Sequence, residues 1–226
     1  MKNKNIAIDG PSGAGKSTLA RMLAKHFGYI YVDTGAIYRC VGLYALEHGL
    51  DSKDEKAVVA SLDKINIEMK YDDAGVQKMY LNGEDVSEKI RLPEVSIYAS
   101  DVSAMPDVRA FLLEMQRSAA RRDNVVMDGR DIGTVVLPDA GVKIFLTASS
   151  KERARRRLRE LLEKGVKTDF DEVLRDIEYR DENDSSRAAA PLKAADDAVV
   201  FDSSDVGLNE TFEALKKIVE ERLSDE

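Results

Sequence analysis

The stretch IAIDGPSGAGKSTLA, residues 6–20, decides the fold. Gly10 to Ser17 fit the pattern G-x-x-x-x-G-K-[ST], with an apolar strand before it and a helix-periodic run after it. In such a loop Gly10, Pro11, Ser12, Gly13, Ala14 and Gly15 turn backbone N–H groups inward around phosphate oxygens. The following helix, opening through Lys16, Ser17 and Thr18, adds its positive N-terminal end. Lys16 is expected to reach the β- and γ-phosphates of a bound nucleotide, and the Ser17 hydroxyl to help hold Mg²⁺ as the metal-side ligand. A chance Gly/Ser-rich turn would lack the flanking strand and helix. The loop leaves one question to the rest of the chain: whether the phosphate passes to water, to a second small molecule or to a protein.

The chain has 226 residues, enough for one large domain, and its 43% hydrophobic and 34% charged content reads as soluble and globular. The apolar runs are short and interrupted, so no membrane span is expected. Nothing at the N-terminus reads as a targeting peptide, and Cys40 is the single cysteine, which suits the cytoplasm. Cys40 lies in an apolar helical run and reads as a small core residue. The net charge of −8 argues against a general nucleic-acid binder. His26 and His48 are isolated and read as helix-end residues rather than metal ligands.

Outward from the loop, short apolar strands alternate with amphipathic helices, the pattern of a parallel sheet covered on both faces. NIAID is followed by a helix marked by Leu19, Met22, Leu23 and Phe27 and ended at Gly28; YIYVD is followed by one marked by Ile37, Val41 and Tyr44. NVVMD (124–128), VKIFLTA (142–148) and DAVVFDS (197–203) are further strands, the last followed by a C-terminal helix. Residues 64–90 break the rhythm: INIEMKY alternates apolar and polar residues, VQKMYL follows, and Asn82–Gly83 signals a hairpin turn. The SKDE stretch, Ser52–Glu55, reads as a capping box that starts a short helix. The chain is thus expected to leave the core near residue 39, build a small subdomain with an antiparallel β insertion, and return near residue 110.

Three stretches bear on the acceptor of the phosphate. DTGAIYR (33–39) places Thr34 and Arg39 at the carboxyl edge of the sheet, where ligands of open α/β folds bind. DGRDIGT (128–134) sends Arg130 and Asp131 out of the same edge, and in YRDENDSSR (179–187) Arg180, Asp184 and Arg187 share one helical face. Each taken alone also fits a solvated helix residue or a surface ion pair. Together they aim separate guanidinium groups at one anion, and the planar fork of arginine suits phosphate. In KERARRRLRE (151–160), Ser149–Glu152 caps a helix carrying Arg153, Arg155, Arg156, Arg157 and Arg159. Its place after a core strand suits a lid that brings arginines to a transferring phosphoryl group; a solvated helix costs little and is the plain alternative.

Taken together, IDGPSGAGKST, GAIYR, LNGEDVS…IR, MDGRDIGT, VKIFLTAS, ERARRR and YRDENDSSR…APL resemble the bacterial cytidylate kinase family of the nucleoside monophosphate kinases, across nearly the whole chain. The resemblance implies a P-loop NTPase fold, a central parallel β-sheet flanked by helices. It implies a core of about 1–38, 110–150 and 169–226, a monophosphate-binding subdomain of about 39–109, and an Arg-rich lid of about 151–168. It implies transfer of the γ-phosphate of ATP, with Mg²⁺, to CMP or dCMP. Arg39, Arg130 and Arg180 would hold the acceptor phosphate, with Thr34 beside them where the family often has Ser. Ser100, Arg109 and Asp131 would read the cytosine edge, Asp184 would bind the sugar, and Arg187 would lie close to the transferring group. Arg153, Arg156 and Arg157 would belong to the lid, with Arg153 and Arg157 acting on the transferring group and Arg156 and Arg157 on ATP. Some members have Gly at position 17; Ser17 restores the hydroxyl. The acceptor phosphate, with a second pKa of about 6, is already ionised at neutral pH, so no general base is required.

Rival readings lack their signatures. A guanine switch would carry N-K-x-D and a transporter-type ATPase a Leu-Ser-Gly-Gly element, and neither is in the chain. RNA binding through residues 153–159 is disfavoured by the acidic remainder and the lack of interleaved aromatics. A monomer acting on small-molecule nucleotides, without a nucleic-acid or membrane partner, is the expectation.

Overall fold

The five core strands of the computed structural model, which describes residues 4–224, lie side by side in a fully parallel sheet. They are β1 (Ile6–Asp9), β2 (Ile30–Asp33), β6 (Val125–Gly129), β7 (Val142–Thr147) and β8 (Val199–Asp202), in the order β2-β6-β1-β7-β8. Ile6 and Ile8 face a core shared with α1 (Lys16–Phe27) and α8 (Leu208–Ser224), while Ala7 faces a second core with Val125, Met127 and Ile132 on the other side. Both faces of β1 are therefore buried, as short all-apolar strands require. β1 pairs directly with β6, Asp9 opposite Gly129, so the phosphate loop and the DGRDIGT segment leave the sheet as neighbours at one edge. The first β-strand turns into its loop at Gly10, where a Cβ atom would come 1.9 Å from the Leu146 carbonyl oxygen; only glycine fits that approach.

The insertion builds a core of its own. It comprises α2 (Thr34–Glu47), α3 (Glu55–Val59), β3 (Ile67–Tyr71), β4 (Gln77–Leu81), β5 (Glu84–Asp85) and α4 (Pro93–Ser103). Ile37, Val41, Met79, Ile90, Val95 and Val102 pack together there, fully buried. β3, β4 and β5 form an antiparallel sheet, and the β4–β5 turn is Asn82 (φ 50°) and Gly83 (φ 86°), the paired positive φ values a two-residue hairpin demands. Cys40 is buried in α2. The hairpin docks on the core by side chains: Gln77 accepts from the Asp33 N–H at 2.8 Å and donates back to its carbonyl at 3.2 Å, and Tyr71 donates to the Tyr31 carbonyl at 3.0 Å. Gln77 thus mimics a neighbouring strand along the outer edge of β2.

One local expectation is corrected. Ser52 does not cap α3; Asp54 does, accepting from the Ala57 N–H at 3.1 Å. Residues 51–53 are held instead in a turn, with the Asp51 carboxylate accepting from the Lys53 N–H at 2.9 Å. The Ser52 hydroxyl donates to the buried Asp101 carboxylate at 2.5 Å, a charged acceptor that outcompetes a cap site.

α5 (Pro106–Arg122) returns the chain to β6, and a single wide turn over Ile132–Val136 follows. α6 (Ser150–Glu163) begins where β7 ends, capped by the Ser149 hydroxyl, which accepts from the Glu152 N–H at 3.3 Å. It packs on α7 (Phe170–Ser186) through Ala154, Leu161, Val173 and Ile177. Among the described residues no helix is long and apolar enough to cross a membrane.

Candidate functional site

A cavity opens at the carboxyl edge of the sheet, between the phosphate loop, α2, α4 and α7. Ser12, Gly13, Lys16 and Ser17 form one wall; Thr34, Arg39, Ser100, Arg109, Arg130, Asp131, Arg180, Asp184 and Arg187 complete the lining, with Asp33, Arg91 and Asp128. Seven cationic side chains and four carboxylates face it, an excess of positive charge in a chain of net charge −8. A larger depression of about 470 Å³, between the 132–136 turn and residues 190–197, has its charges balanced, with Lys143 held by Asp197 at 2.9 Å. Charge, not size, marks the site.

The lining is built from the sheet outward. Asp9, at the end of β1, accepts from the N–H groups of Ile132 (2.7 Å) and Gly133 (2.8 Å) and so fixes the turn that carries Arg130 and Asp131. Burial, against those two hydrogen bonds, pushes its carboxyl up to about 6. Thr34 donates its hydroxyl to the Asp128 carbonyl at 2.8 Å, which leaves its oxygen lone pairs for the cavity. Arg109 pairs with Asp131 and donates to the Ser103 carbonyl at 3.2 Å, with its guanidinium 5.5 Å over the Tyr38 ring. Asp131 is thereby held between Arg109 and Arg187, whose Nη2 is 3.7 Å from its other oxygen.

Several of the cavity-facing cations disfavour their charged form. Lys16 donates to the Pro11 carbonyl at 2.7 Å; burial, and next the Arg130 charge, lower its ammonium to about 7. Arg180 is lowered to about 9 by burial, then by Arg130 and Arg39. Arg39 is lowered as well, chiefly by burial, with Arg91, Arg157 and Arg130 adding repulsion. Arg130 alone is well paired: its Nε donates to Asp184 at 2.6 Å, and that carboxylate, despite burial, is held below the ordinary range by Arg130, Arg187 and Arg180. Buried Arg180 Nε and Arg187 Nη2 make no hydrogen bond. Orphaned guanidinium donors among mutually repelling cations are what an anion site looks like before its anion is counted.

The arginines of α6 divide differently from their sequence grouping. Arg153 is 5% exposed and spent on the protein: Nε to the Ala148 carbonyl (2.8 Å), Nη1 to the Ser12 carbonyl (2.9 Å), and both Nη atoms to Asp181 (3.0 and 2.5 Å). It ties the phosphate loop to α7. Arg156 donates to the Ser203 carbonyl at 2.6 Å and to Glu152 at 3.2 Å, beside the end of β8. Arg157 pairs with Glu160 at 2.9 Å, yet its charge is felt by both Arg39 and Arg180.

Several residues of the site escape sequence reasoning. Asp128, the last residue of an apolar strand run, accepts from Ser17 Oγ at 3.0 Å and Tyr31 OH at 2.9 Å; burial, and then the Asp33 charge, raise its pKa. The signal was present: an apolar strand ending in Asp beside a phosphate loop is the usual partner of the loop's hydroxyl. Asp33 caps α2, accepting from the Ala36 N–H at 3.0 Å, and pairs with Arg91 at 2.8 Å. Arg91 comes from the end of the insertion, and only the folded chain places it at the cavity.

The comparisons agree with this geometry. A family profile described as "Cytidylate kinase" matches residues 6–221. A protein named cytidylate kinase from Caldicellulosiruptor bescii is 51% identical over 97% of this chain and 96% of its own length. One of the same name from Carboxydothermus hydrogenoformans is 50% identical over 95% and 96%. A crystal structure of an uncharacterized protein from Eubacterium ventriosum aligns with a TM-score of 0.51 over 97% of this chain and 99% of that one, at 14% identity, a likeness of fold alone.

Proposed function

The chain belongs to the cytidylate kinase family, and on that premise we propose that it transfers the γ-phosphoryl group of ATP to the 5′-phosphate of CMP or dCMP, giving ADP and CDP or dCDP. The observation that carries this reading is the cationic excess of the cavity beside the phosphate loop, where Arg180 Nε and Arg187 Nη2 make no hydrogen bond.

The roles combine the family resemblance with where each residue lies in the cavity. The backbone of Gly10–Gly15 and the N-terminus of α1 cradle the triphosphate, and Lys16 leaves the Pro11 carbonyl for its outer oxygens. Arg39, Arg130 and Arg180 grip the acceptor phosphate and offset its repulsion from ATP, the main obstacle to bringing two polyanions into line. Arg187, expected close to the transferring group, has its guanidinium 3.7 Å from both Asp131 and Asp184. Helix α6 and residues up to 168 serve as the lid, with Arg157 the arginine of that helix closest in charge to the acceptor site. Asp184 takes the sugar hydroxyl from its fixed place beside Arg130. Ser17 and Asp128 offer hard oxygen donors 3.0 Å apart at the loop, a set that fits Mg²⁺. When bound there, Mg²⁺ neutralises charge on the β- and γ-oxygens.

The base is read by Asp131, Arg109 and Ser100. Cytosine presents an amino donor next to acceptor atoms. Asp131, fixed by Arg109 and Arg187, accepts from the amine; the carbonyl that uracil has there would face a carboxylate. A buried mismatch of that kind costs about 1–3 kcal/mol. The test is a steady-state panel of nucleoside monophosphates with ATP held constant. CMP and dCMP are expected to be the best acceptors, with UMP at least tenfold lower in kcat/KM; equal rates across the panel would remove base reading from this cavity.

A further inference from the structure

Helix α7 presents two stripes. Arg180, Asp184 and Arg187 line the cavity, whereas Tyr179 and Asn183, one turn apart, face α4 and have no part in phosphoryl transfer. Tyr179 OH donates to Asp101 Oδ1 at 2.6 Å, and Ser52 donates to Asp101 Oδ2 at 2.5 Å. Asn183 Nδ2 lies 3.1 Å from Ser100 Oγ and 3.5 Å from Asp101 Oδ1. Asp101 and Ser100 are 7% and 6% exposed, so the acceptor side of these bonds is buried, while Tyr179 reaches it from the surface.

The polarity of this network follows from donor counting. A carboxylate can only accept, so the Asn183 amide must turn its nitrogen, not its oxygen, toward Asp101 and Ser100. Ser100 Oγ therefore accepts from Asn183. A hydroxyl carries one hydrogen, and among the described residues nothing accepts that of Ser100, which lines the cavity. The hydrogen is left for the ligand.

We propose that Asn183 is a positioning residue: clamped by Asp101, it presets the Ser100 hydroxyl as a hydrogen-bond donor into the cavity. The wall at Ser100 then takes a base edge that carries a ring-nitrogen lone pair or a carbonyl oxygen, and disfavours one that carries N–H there. Tyr179 and Ser52 each donate to Asp101 and hold the clamp, and so join the acceptor wall on α4 to the helix that grips the phosphate. This inference rests on the reading of the cavity as the seat of the acceptor nucleotide.

The test is a double-mutant cycle on the full-length enzyme, with CMP and UMP kinetics and thermal melting measured for each variant. Ser100→Ala is expected to raise the KM for CMP about tenfold, the loss of one buried hydrogen bond. Asn183→Leu is expected to raise it nearly as much, with kcat and the KM for ATP within about twofold of wild type. In the Ser100→Ala background Asn183→Leu should add nothing, because the two residues act through one hydrogen. Tyr179→Phe, at a surface-accessible position that tolerates the change, should raise the KM for CMP about threefold and be equally silent in that background. A purely structural contact would lower the melting temperature and add its loss to that of Ser100→Ala, and that additivity overturns the proposal. If Ser100→Ala raises the KM while Asn183→Leu and Tyr179→Phe leave it unchanged, the positioning role alone falls. If Ser100→Ala itself has no effect on CMP, the base-reading assignment falls with it.

Discussion

Removing Arg180 should make the ligand-free protein more stable while abolishing its use. Burial, Arg130 and Arg39 together lower the Arg180 guanidinium from its ordinary value to about 9. The folded state thus disfavours the charged form. At pH 7.5, below both values, the arginine is charged whether the chain is folded or not, so the whole penalty stands; it would fade only as pH rises through about 9. Taken at about 1.4 kcal/mol per unit the penalty approaches ~5 kcal/mol. Because the cavity mouth admits water and Arg180 is only partly buried, about 2 kcal/mol is a realistic share. Arg180→Met keeps the aliphatic stem and deletes the charge. In a chain of this size about 2 kcal/mol corresponds to a rise in melting temperature of roughly 4–8 °C. Scanning calorimetry of the two proteins without ligand checks this. With saturating CMP the advantage should shrink or reverse, because only wild type gains the phosphate contact, and turnover of the variant should fall by about 10²-fold or more. A ligand-free variant that melts below wild type would refute the reasoning, since Arg180 would then be holding the fold together.

Arg153 should behave oppositely. Arg153→Met leaves Asp181 and the Ser12 carbonyl without their partner and is expected to cost about 3–5 kcal/mol in denaturant unfolding; Arg153→Lys, unable to bridge Asp181 with two nitrogens, should recover less than half. Asp131→Asn should narrow the CMP-to-UMP ratio of kcat/KM by at least about tenfold, because an amide can donate to the uracil carbonyl as well as accept from the cytosine amine. Gln77→Ala removes both bonds to the Asp33 backbone and should cost about 1–3 kcal/mol of stability by urea titration, with the KM for CMP raised because Asp33 caps the helix that carries Arg39.

The features legible in the sequence are those encoded over a few residues. The phosphate loop, the alternation of strand and helix, and the Asn82–Gly83 turn depend on local dihedral preferences, and they stand where the pattern put them. The convergence of Arg39, Arg130, Arg180 and Arg187 was legible because each sits at a strand end or on one helical face, and the parallel order of the sheet brings such ends together. What stayed hidden depends on partners distant in the chain. Ser52 has the spacing of a cap, but a buried carboxylate at Asp101 claims it. Arg153 looks like one of five lid arginines, yet Asp181 and the phosphate loop absorb its guanidinium. Gln77 reads as an ordinary strand residue, and only the exposed edge of β2 gives its amide a role.

The central claim is that the loop-bound phosphate is handed to a second nucleotide and not to water. Phosphorus NMR of ATP with the enzyme and Mg²⁺, recorded with and without CMP, tests it directly. The account predicts β-phosphate resonances of CDP growing in step with those of ADP when CMP is present, and ATP otherwise unchanged. Release of inorganic phosphate at the same rate with or without CMP, and no CDP, would contradict it.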